Sequence, residues 1–234
     1  MSEPKFRFRQ FEVWHDRCAM KVGTDGVLLG AWAGVEERSR ILDIGTGTGL
    51  IALMAAQRAP EATVWGIEID DAAAAQAEEN ARRSPFADRL RMLRGDVRTF
   101  DFRWSFDAIL CNPPFFTEDT LPPDAQRTLA RNSVSLRFGE LISAAVRLLT
   151  PDGEFHVILP TSAANDFITQ SFMNGLYVRR KCAVRTVARK EPKRQMLSFS
   201  RDRNGFAETE ELILQEPDGS RTPAYASLTK DFYL

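Results

Sequence analysis

No part of the 234-residue sequence narrows the fold as far as Arg40-Ile-Leu-Asp43-Ile-Gly45-Thr-Gly47-Thr-Gly49. Arg40 to Ile44 reads as a compact strand. Leu50 to Gln57 reads as an apolar helix with Leu50, Ile51, Leu53 and Met54 facing inward. A strand, a glycine turn and a helix open a doubly wound α/β unit. The glycines let the backbone come close to a ligand, and the helix N-terminus favours an anionic group there. The spacing is Gly-x-Gly-x-Gly, which differs from the Gly-x-Gly-x-x-Gly of dinucleotide binders.

Three further strands repeat the theme of a polar residue at the carboxyl end. Thr63 to Ile67 ends in Glu68, at the distance from the glycines where such folds place a ribose-binding acid. Asp70 and Asp71 compete as N-caps for a helix over Ala72 to Arg83. Leu90 to Leu93 ends in Gly95-Asp96, and Ala108 to Cys111 runs into Asn112-Pro113-Pro114-Phe115. Two consecutive prolines remove two backbone donors and fix two φ angles, so the chain leaves the sheet on a stiff path. That path presents the Asn112 amide and the Pro113 carbonyl as acceptors beside the Phe115 ring, a receptor for a planar group carrying –NH2. The same residues also read as a proline-stiffened surface turn. Asp43, Glu68, Asp96 and Asn112 thus fall at the ends of four successive strands, where open α/β sheets bind ligands.

The remaining chain fits around this core. The first forty residues hold no long helix. Phe6, Phe8, Phe11 and Val13 suggest extended, partly paired chain, and Thr24 or Asp25 can cap a short helix through Trp32. Residues 117–132, with Pro122-Pro123, read as a loop over the site. Phe138 to Leu149 is an amphipathic helix closed by Pro151-Asp-Gly153, Phe155 to Leu159 a fifth strand, and 163–174 a helix with Gly175 as its left-handed cap. Val178 to Val187 and Gln195 to Ser200 form a hairpin around Glu191-Pro192, the mixed-sheet ending of many α/β folds. Arg179, Arg180, Lys181, Arg185, Arg189, Lys190, Lys193 and Arg194 crowd it, either as a solvated edge that discourages strand pairing or as a basic patch for phosphates. Glu211 to Gln215 can form a last strand.

Composition excludes several classes. With 44% hydrophobic and 27% charged residues the chain is an ordinary globular one, and no apolar run approaches the roughly 18 residues of a membrane span. Residues 1–9 lack the apolar core of a secretory signal. Cys18, Cys111 and Cys182 are far apart without metal-ligand spacing, pointing to a reducing cytoplasm and no metal. A net charge of −1 argues against indiscriminate polyanion binding.

Asp43-Ile-Gly-Thr-Gly-Thr-Gly49, Glu68, Asp96 and Asn112-Pro-Pro-Phe115 together resemble the ordered motifs of class I S-adenosylmethionine-dependent methyltransferases. Asn-Pro-Pro-Phe/Tyr marks members that methylate planar nitrogens. Cys18-Ala-Met-Lys-Val-Gly-Thr-Asp-Gly-Val-Leu-Leu-Gly-Ala-Trp32 and Asp231-Phe-Tyr-Leu234 are similar to the bacterial valine-tRNA adenine-N6 methyltransferases. The resemblance implies one domain with a Rossmann-like sheet, mostly parallel, a C-terminal antiparallel hairpin and helices on both faces. Residues 1–38 would cover the site, 39–201 form the catalytic core and 202–234 extend it. Gly45, Gly47 and Gly49 would admit the methionine part of S-adenosylmethionine, with Asp43 fixing the loop or the amino group. Glu68 would take the ribose hydroxyls with Ile69 beside it, and Asp96 and Val97 the adenine. Lys21, Gly23, Thr24 and Asp25 would close the front. Asn112, Pro113, Pro114 and Phe115 would form the catalytic set, and Arg189, Lys190, Lys193 and Arg194 the tRNA contacts. Neither histidine is needed as a base. The alternatives are another planar nitrogen (guanine N2, DNA adenine or a glutamine amide) or an NAD-dependent oxidoreductase on the same fold.

Overall fold

The computed structural model describes residues 4–18, 21–113 and 136–234. The candidates Pro114 and Phe115, and the loop expected over 117–132, lie outside the described residues.

The chain opens with a small antiparallel pair, β1 (Lys5–Arg7) and β2 (Glu12–Trp14), followed by α1 (Thr24–Trp32). The central segment alternates β3 (Arg40–Ile44), α2 (Leu50–Arg58), β4 (Thr63–Glu68), α3 (Asp71–Arg83), β5 (Leu90–Arg94) and β6 (Phe106–Cys111). Then come α4 (Phe138–Leu148), β7 (Leu149–Pro160), α5 (Thr161–Met173), β8 (Tyr177–Val187), β9 (Arg194–Ser200), β10 (Glu208–Gln215) and α6 (Pro223–Thr229). Among the described residues, eight strands make one sheet in the order β10-β8-β9-β7-β6-β3-β4-β5. β9 runs antiparallel to both its neighbours, and every other pairing is parallel. The hairpin partner β9 is therefore inserted between β7 and β8, which explains why six of its seven residues are buried.

Strand alternation sends side chains into two cores. Ile41, Ala108, Leu110, Ile158 and Met196 pack under α1, α2 and the segments near both termini. Leu42, Ile44, Ile109, Phe155, Val157 and Leu197 pack under α4 and α5, with Phe167 at the centre. Both faces of the sheet are thus covered, as a parallel sheet requires.

Two local expectations need correction, and one element is added. Neither Thr24 nor Asp25 caps α1. Gly23 is its N-cap without a side-chain bond, and Asp25 instead pairs with Arg194, whose Nε lies 2.7 Å from its carboxylate. The Pro151–Gly153 turn does not separate helix from strand. It bulges out of β7, because the register jumps from Phe106 opposite Leu149 to Ala108 opposite Glu154. The C-terminal segment holds a helix, α6, whose N-cap Thr222 accepts from the Tyr225 amide.

Candidate active site

The strand order reverses between β3 and its neighbours β4 and β6, and the register keeps their carboxyl ends level: Ile44 faces Ile67 on one side and Cys111 on the other. A crevice at such a switch point is where open α/β sheets bind ligands. Here it is a cavity of about 650 Å³ lined by Gly45 and Gly47, Glu68 and Ile69, Asp96 to Arg98, Asn112 and Pro113, and Arg17 and Cys18.

The glycine turn is built for close approach. Gly45, Gly47 and Gly49 have φ of 67°, 55° and 82°, a region that L side chains seldom adopt. A Cβ placed on Gly45 would meet no atom within 4 Å, so its bare backbone faces open cavity. Gly49 is the N-cap of α2 and has no side chain to offer the orphan amides. Asp43 does that work from the strand below. Its Oδ2 accepts from Ala52 N at 3.2 Å, the third residue of the helix, and from the Thr46 hydroxyl at 2.6 Å. Asp43 is 1% exposed and is not among the cavity-lining residues, and its Oδ1 is buried without a hydrogen-bond partner among the described residues. Burial pushes its carboxyl up to about 7, opposed by the bonds from Thr46 and Ala52.

Glu68 stands at the end of β4 as a hub for backbone amides. Oε2 accepts from Gly47 N at 3.0 Å, and Oε1 from Ile69 N at 2.8 Å and Asp70 N at 3.0 Å. It thereby ties the β4 end to the glycine turn while its carboxylate lines the cavity. Asp70 caps α3 through Ala73 N at 2.8 Å, which settles the competition with Asp71. Asp96 accepts from the backbone and guanidinium of Arg98, with Nε 2.8 Å from Oδ2, and Arg98 also reaches Glu140 at 3.4 Å. The Arg98 guanidinium holds the Asp96 carboxyl below its ordinary range. Arg98 was not singled out by sequence, although its position two residues after the acid at a strand end is a usable signal.

Asn112 and Pro113 also line the cavity, together with Leu136 across from them. Lys21, Gly23, Thr24, Asp25 and Gly49 are not among the lining residues. The front wall comes from Arg17 and Cys18 instead. Burial pushes the Cys18 thiol up to about 11, helped by Glu68 and Asp70, which disfavours the nucleophilic thiolate. Burial likewise raises Cys111. His156 is wholly buried within β7, and burial lowers it to about 3, so it is a neutral core residue. Among the described residues the lining offers the carboxylates Glu68, Asp70 and Asp96, the guanidinium groups of Arg17 and Arg98, the Asn112 amide and apolar walls.

The basic hairpin divides in two. Arg179 pairs with Asp202 at 3.3 Å, Arg180 with Glu210 at 3.0 Å while lying over Trp32, Arg185 with Glu211 at 2.5 Å, and Arg194 with Asp25. Arg189, Lys190 and Lys193 are exposed on the turn. β8 is parallel to the core strands, so its carboxyl end, and with it this turn, lies at the cavity's edge of the sheet. Arg179 and Arg180 start the strand, seven to eight residues back, roughly 25 Å away at ~3.3 Å per residue. They lie at the opposite end of β8 from the turn.

The family model for the methyltransferase small domain matches residues 26–183. A protein of Bacteroides thetaiotaomicron named tRNA1(Val) (adenine(37)-N6)-methyltransferase is 44% identical over 100% of this chain and 99% of its own length. One of the same name from Tolumonas auensis is 42% identical over 100% and 98%. The chain belongs to this methyltransferase family. The fold agrees with solved structures of low sequence identity. A protein from Agrobacterium tumefaciens described as a predicted O-methyltransferase superposes with a TM-score of 0.69 at 19% identity, covering 89% of this chain and 96% of that one. A glycopeptide N-methyltransferase solved with S-adenosylmethionine gives 0.57 at 12% identity, covering 78% and 89%. Family membership removes the oxidoreductase alternative. Among the described residues no group of His, Cys, Asp and Glu could hold a metal, and no helix is long and apolar enough to cross a membrane.

Proposed function

We propose that this enzyme methylates the exocyclic N6 of adenine 37 in a valine tRNA, the reaction for which its relatives are named, and that it does so in the cytoplasm with S-adenosylmethionine as donor. The observation that carries the reading is that Asn112 and Pro113 line the same cavity as Glu68, Asp96 and the open glycine turn. The cavity fits the donor: bare backbone at Gly45 and Gly47 for its amino-acid part, and acceptors at Glu68 and Asp96 for ribose hydroxyls and adenine amine. When bound, that cofactor supplies an electrophilic methyl group on a good leaving group.

The chain's own residues then have mostly positioning to do. The Asn112 side-chain oxygen and the Pro113 carbonyl accept the two N6 hydrogens of the substrate adenine. Two acceptors in fixed places orient the nitrogen and draw its lone pair out of conjugation. No base is required for attack, because the proton becomes acidic once nitrogen is alkylated. The target base must be unstacked to enter, which an anticodon loop permits more readily than a duplex. The exposed Arg189, Lys190 and Lys193 stand at the cavity's edge of the sheet, on the side from which the RNA would approach.

The test is single-turnover transfer of labelled methyl to a valine tRNA anticodon stem-loop, followed by nucleoside analysis. Asn112→Ala is expected to keep cofactor affinity and to lose transfer. Full activity in that variant would remove the proposed acceptor. A labelled product other than N6-methyladenine would redirect the reading to another planar nitrogen.

A further inference from the structure

The front wall of the cavity, Arg17 and Cys18, belongs to no regular element, so something else must hold it in place. The structure shows what does. Residues 14–18 lie against one face of α3, and the residues of that face are Gln76, Glu79, Asn80 and Arg83. This is the i, i+3, i+4, i+7 spacing that brings side chains to one side of a helix. Asn80 is wholly buried and uses both ends of its amide. Its Oδ1 accepts from Trp14 N at 2.9 Å, while Nδ2 donates to Trp14 O and to Thr48 O, each at 2.8 Å. One turn earlier, Gln76, 1% exposed, accepts from Arg17 N through Oε1 at 3.3 Å. At the exposed rim Glu79 pairs with Arg17 at 3.3 Å, and the Arg83 guanidinium lies 4.8 Å from the Trp14 ring centre.

We propose that Asn80, assisted by Gln76, is a positioning residue that fastens the 14–18 strap and the glycine turn into one unit and so sets how fast the cofactor leaves. The inference rests on the cavity being the cofactor site. Asn80 touches three things at once: a strand that ends the N-terminal pair, the carbonyl of Thr48 within the glycine turn, and its own helix, whose first turn contributes Ala72 and Ala73 to the cavity wall. Thr48 O lies between Gly47 and Gly49, so the same amide that holds the wall also holds the floor. A buried carbonyl left without a donor is costly, which makes the arrangement all-or-none: either the amide sits in place and all three groups are satisfied, or the strap lifts. These two amide side chains stand on a buried helix face otherwise made of Ala73, Ala74, Ala77 and Ala81, where a polar group is costly unless it is hydrogen-bonded.

The decisive variant is Asn80→Asp. It is isosteric and still accepts from Trp14 N, but it turns a donor into an acceptor facing two carbonyls. Release of S-adenosylmethionine, followed by stopped-flow competition, is expected to accelerate by at least about tenfold, the size of one hydrogen bond, since both donations from Nδ2 are lost. Amide exchange at Trp14 and Arg17 is expected to rise with it. Gln76→Ala should give a smaller change in the same direction. Gln57→Ala serves as the control, because it removes a bond to Asp231 O at 2.8 Å on a helix turn away from the cavity. It should leave release unchanged even where it lowers Tm. If wild-type protein binds no S-adenosylmethionine, the cofactor reading itself fails. If wild type binds and Asn80→Asp, folded by circular dichroism, releases at the wild-type rate, the strap inference fails alone. Equal acceleration in Gln57→Ala would overturn it too, by showing that general destabilisation suffices.

Discussion

Asp43 illustrates how a residue in the right motif does its work by an indirect route. One oxygen of its carboxylate, Oδ2, serves Thr46 and the Ala52 amide, because Gly49 cannot cap the helix it starts. The consequence is a pH signature. The ordinary value of 3.8 applies to the unfolded chain, and burial raises the folded value to about 7. A raised folded pKa means that the folded state keeps the proton longer. The stability contributed by this group is therefore present below about pH 4 and is lost as pH rises through about 7. Asp43→Asn keeps an amide oxygen for Thr46 and Ala52 and cannot titrate. Denaturant unfolding of wild type and variant between about pH 4.5 and 7.5 should show a falling component in the wild type that the variant lacks. Parallel profiles would mean that Asp43 is ionised throughout.

At the scale of elements, the hairpin β8–β9 separates cations that serve the fold from cations left over. Arg180 and Arg185 are used to attach β10, whose Glu210 and Glu211 they meet. The turn itself is braced rather than loose: the Thr161 hydroxyl donates to Pro192 O at 2.8 Å, and Arg185 donates to Lys190 O at 2.7 Å. Arg189, Lys190 and Lys193 are thus presented on a fixed support, and replacing all three with alanine is expected to weaken tRNA binding. It should also flatten the salt dependence by about 0.7–0.9 in logarithmic slope for each phosphate that is no longer neutralised. Arg179→Ala, at the far end of β8, should leave that slope unchanged. An unaltered slope in the triple variant would place the RNA elsewhere. Arg194 belongs in a separate experiment, since its pairing with Asp25 ties β9 to α1.

For the whole molecule, the two ends of the sequence prove to be one packed unit. Arg9 N donates to Phe232 O at 2.9 Å, Arg9 Nε to Tyr233 O at 2.6 Å, and the rings of Phe8 and Tyr233 stack at 6.1 Å. Phe232 is 2% exposed, within the same core as α1 and α2. Truncating a buried aromatic ring to alanine typically costs about 3–5 kcal/mol, so Phe232→Ala should lower the unfolding midpoint strongly. Methyl transfer per folded molecule, measured in the cold, should be little changed. A variant of wild-type stability without activity would move Asp231-Phe-Tyr-Leu234 from the scaffold to the site.

Period and punctuation in the sequence determined the core strands, the glycine turn and the placing of Glu68, Asp96 and Asn112 at strand ends, because these follow from local rules about alternation and backbone freedom. Local rules also narrow the α3 cap to Asp70 or Asp71 and reach Gly175 as a helix stop, whose φ is 79°. Only the tertiary structure decided what each polar group faces. It withdrew Asp43 into the helix start, gave Asp96 to Arg98 and Asp25 to Arg194, and divided one run of basic residues between two opposite edges of the sheet. It also brought Trp14, Thr48 and Asn80 together across the front of the cavity, from places 32 and 66 residues apart. A hydrogen bond between distant segments leaves no period in the chain, since it depends on where the sheet carries each end rather than on what stands next to it.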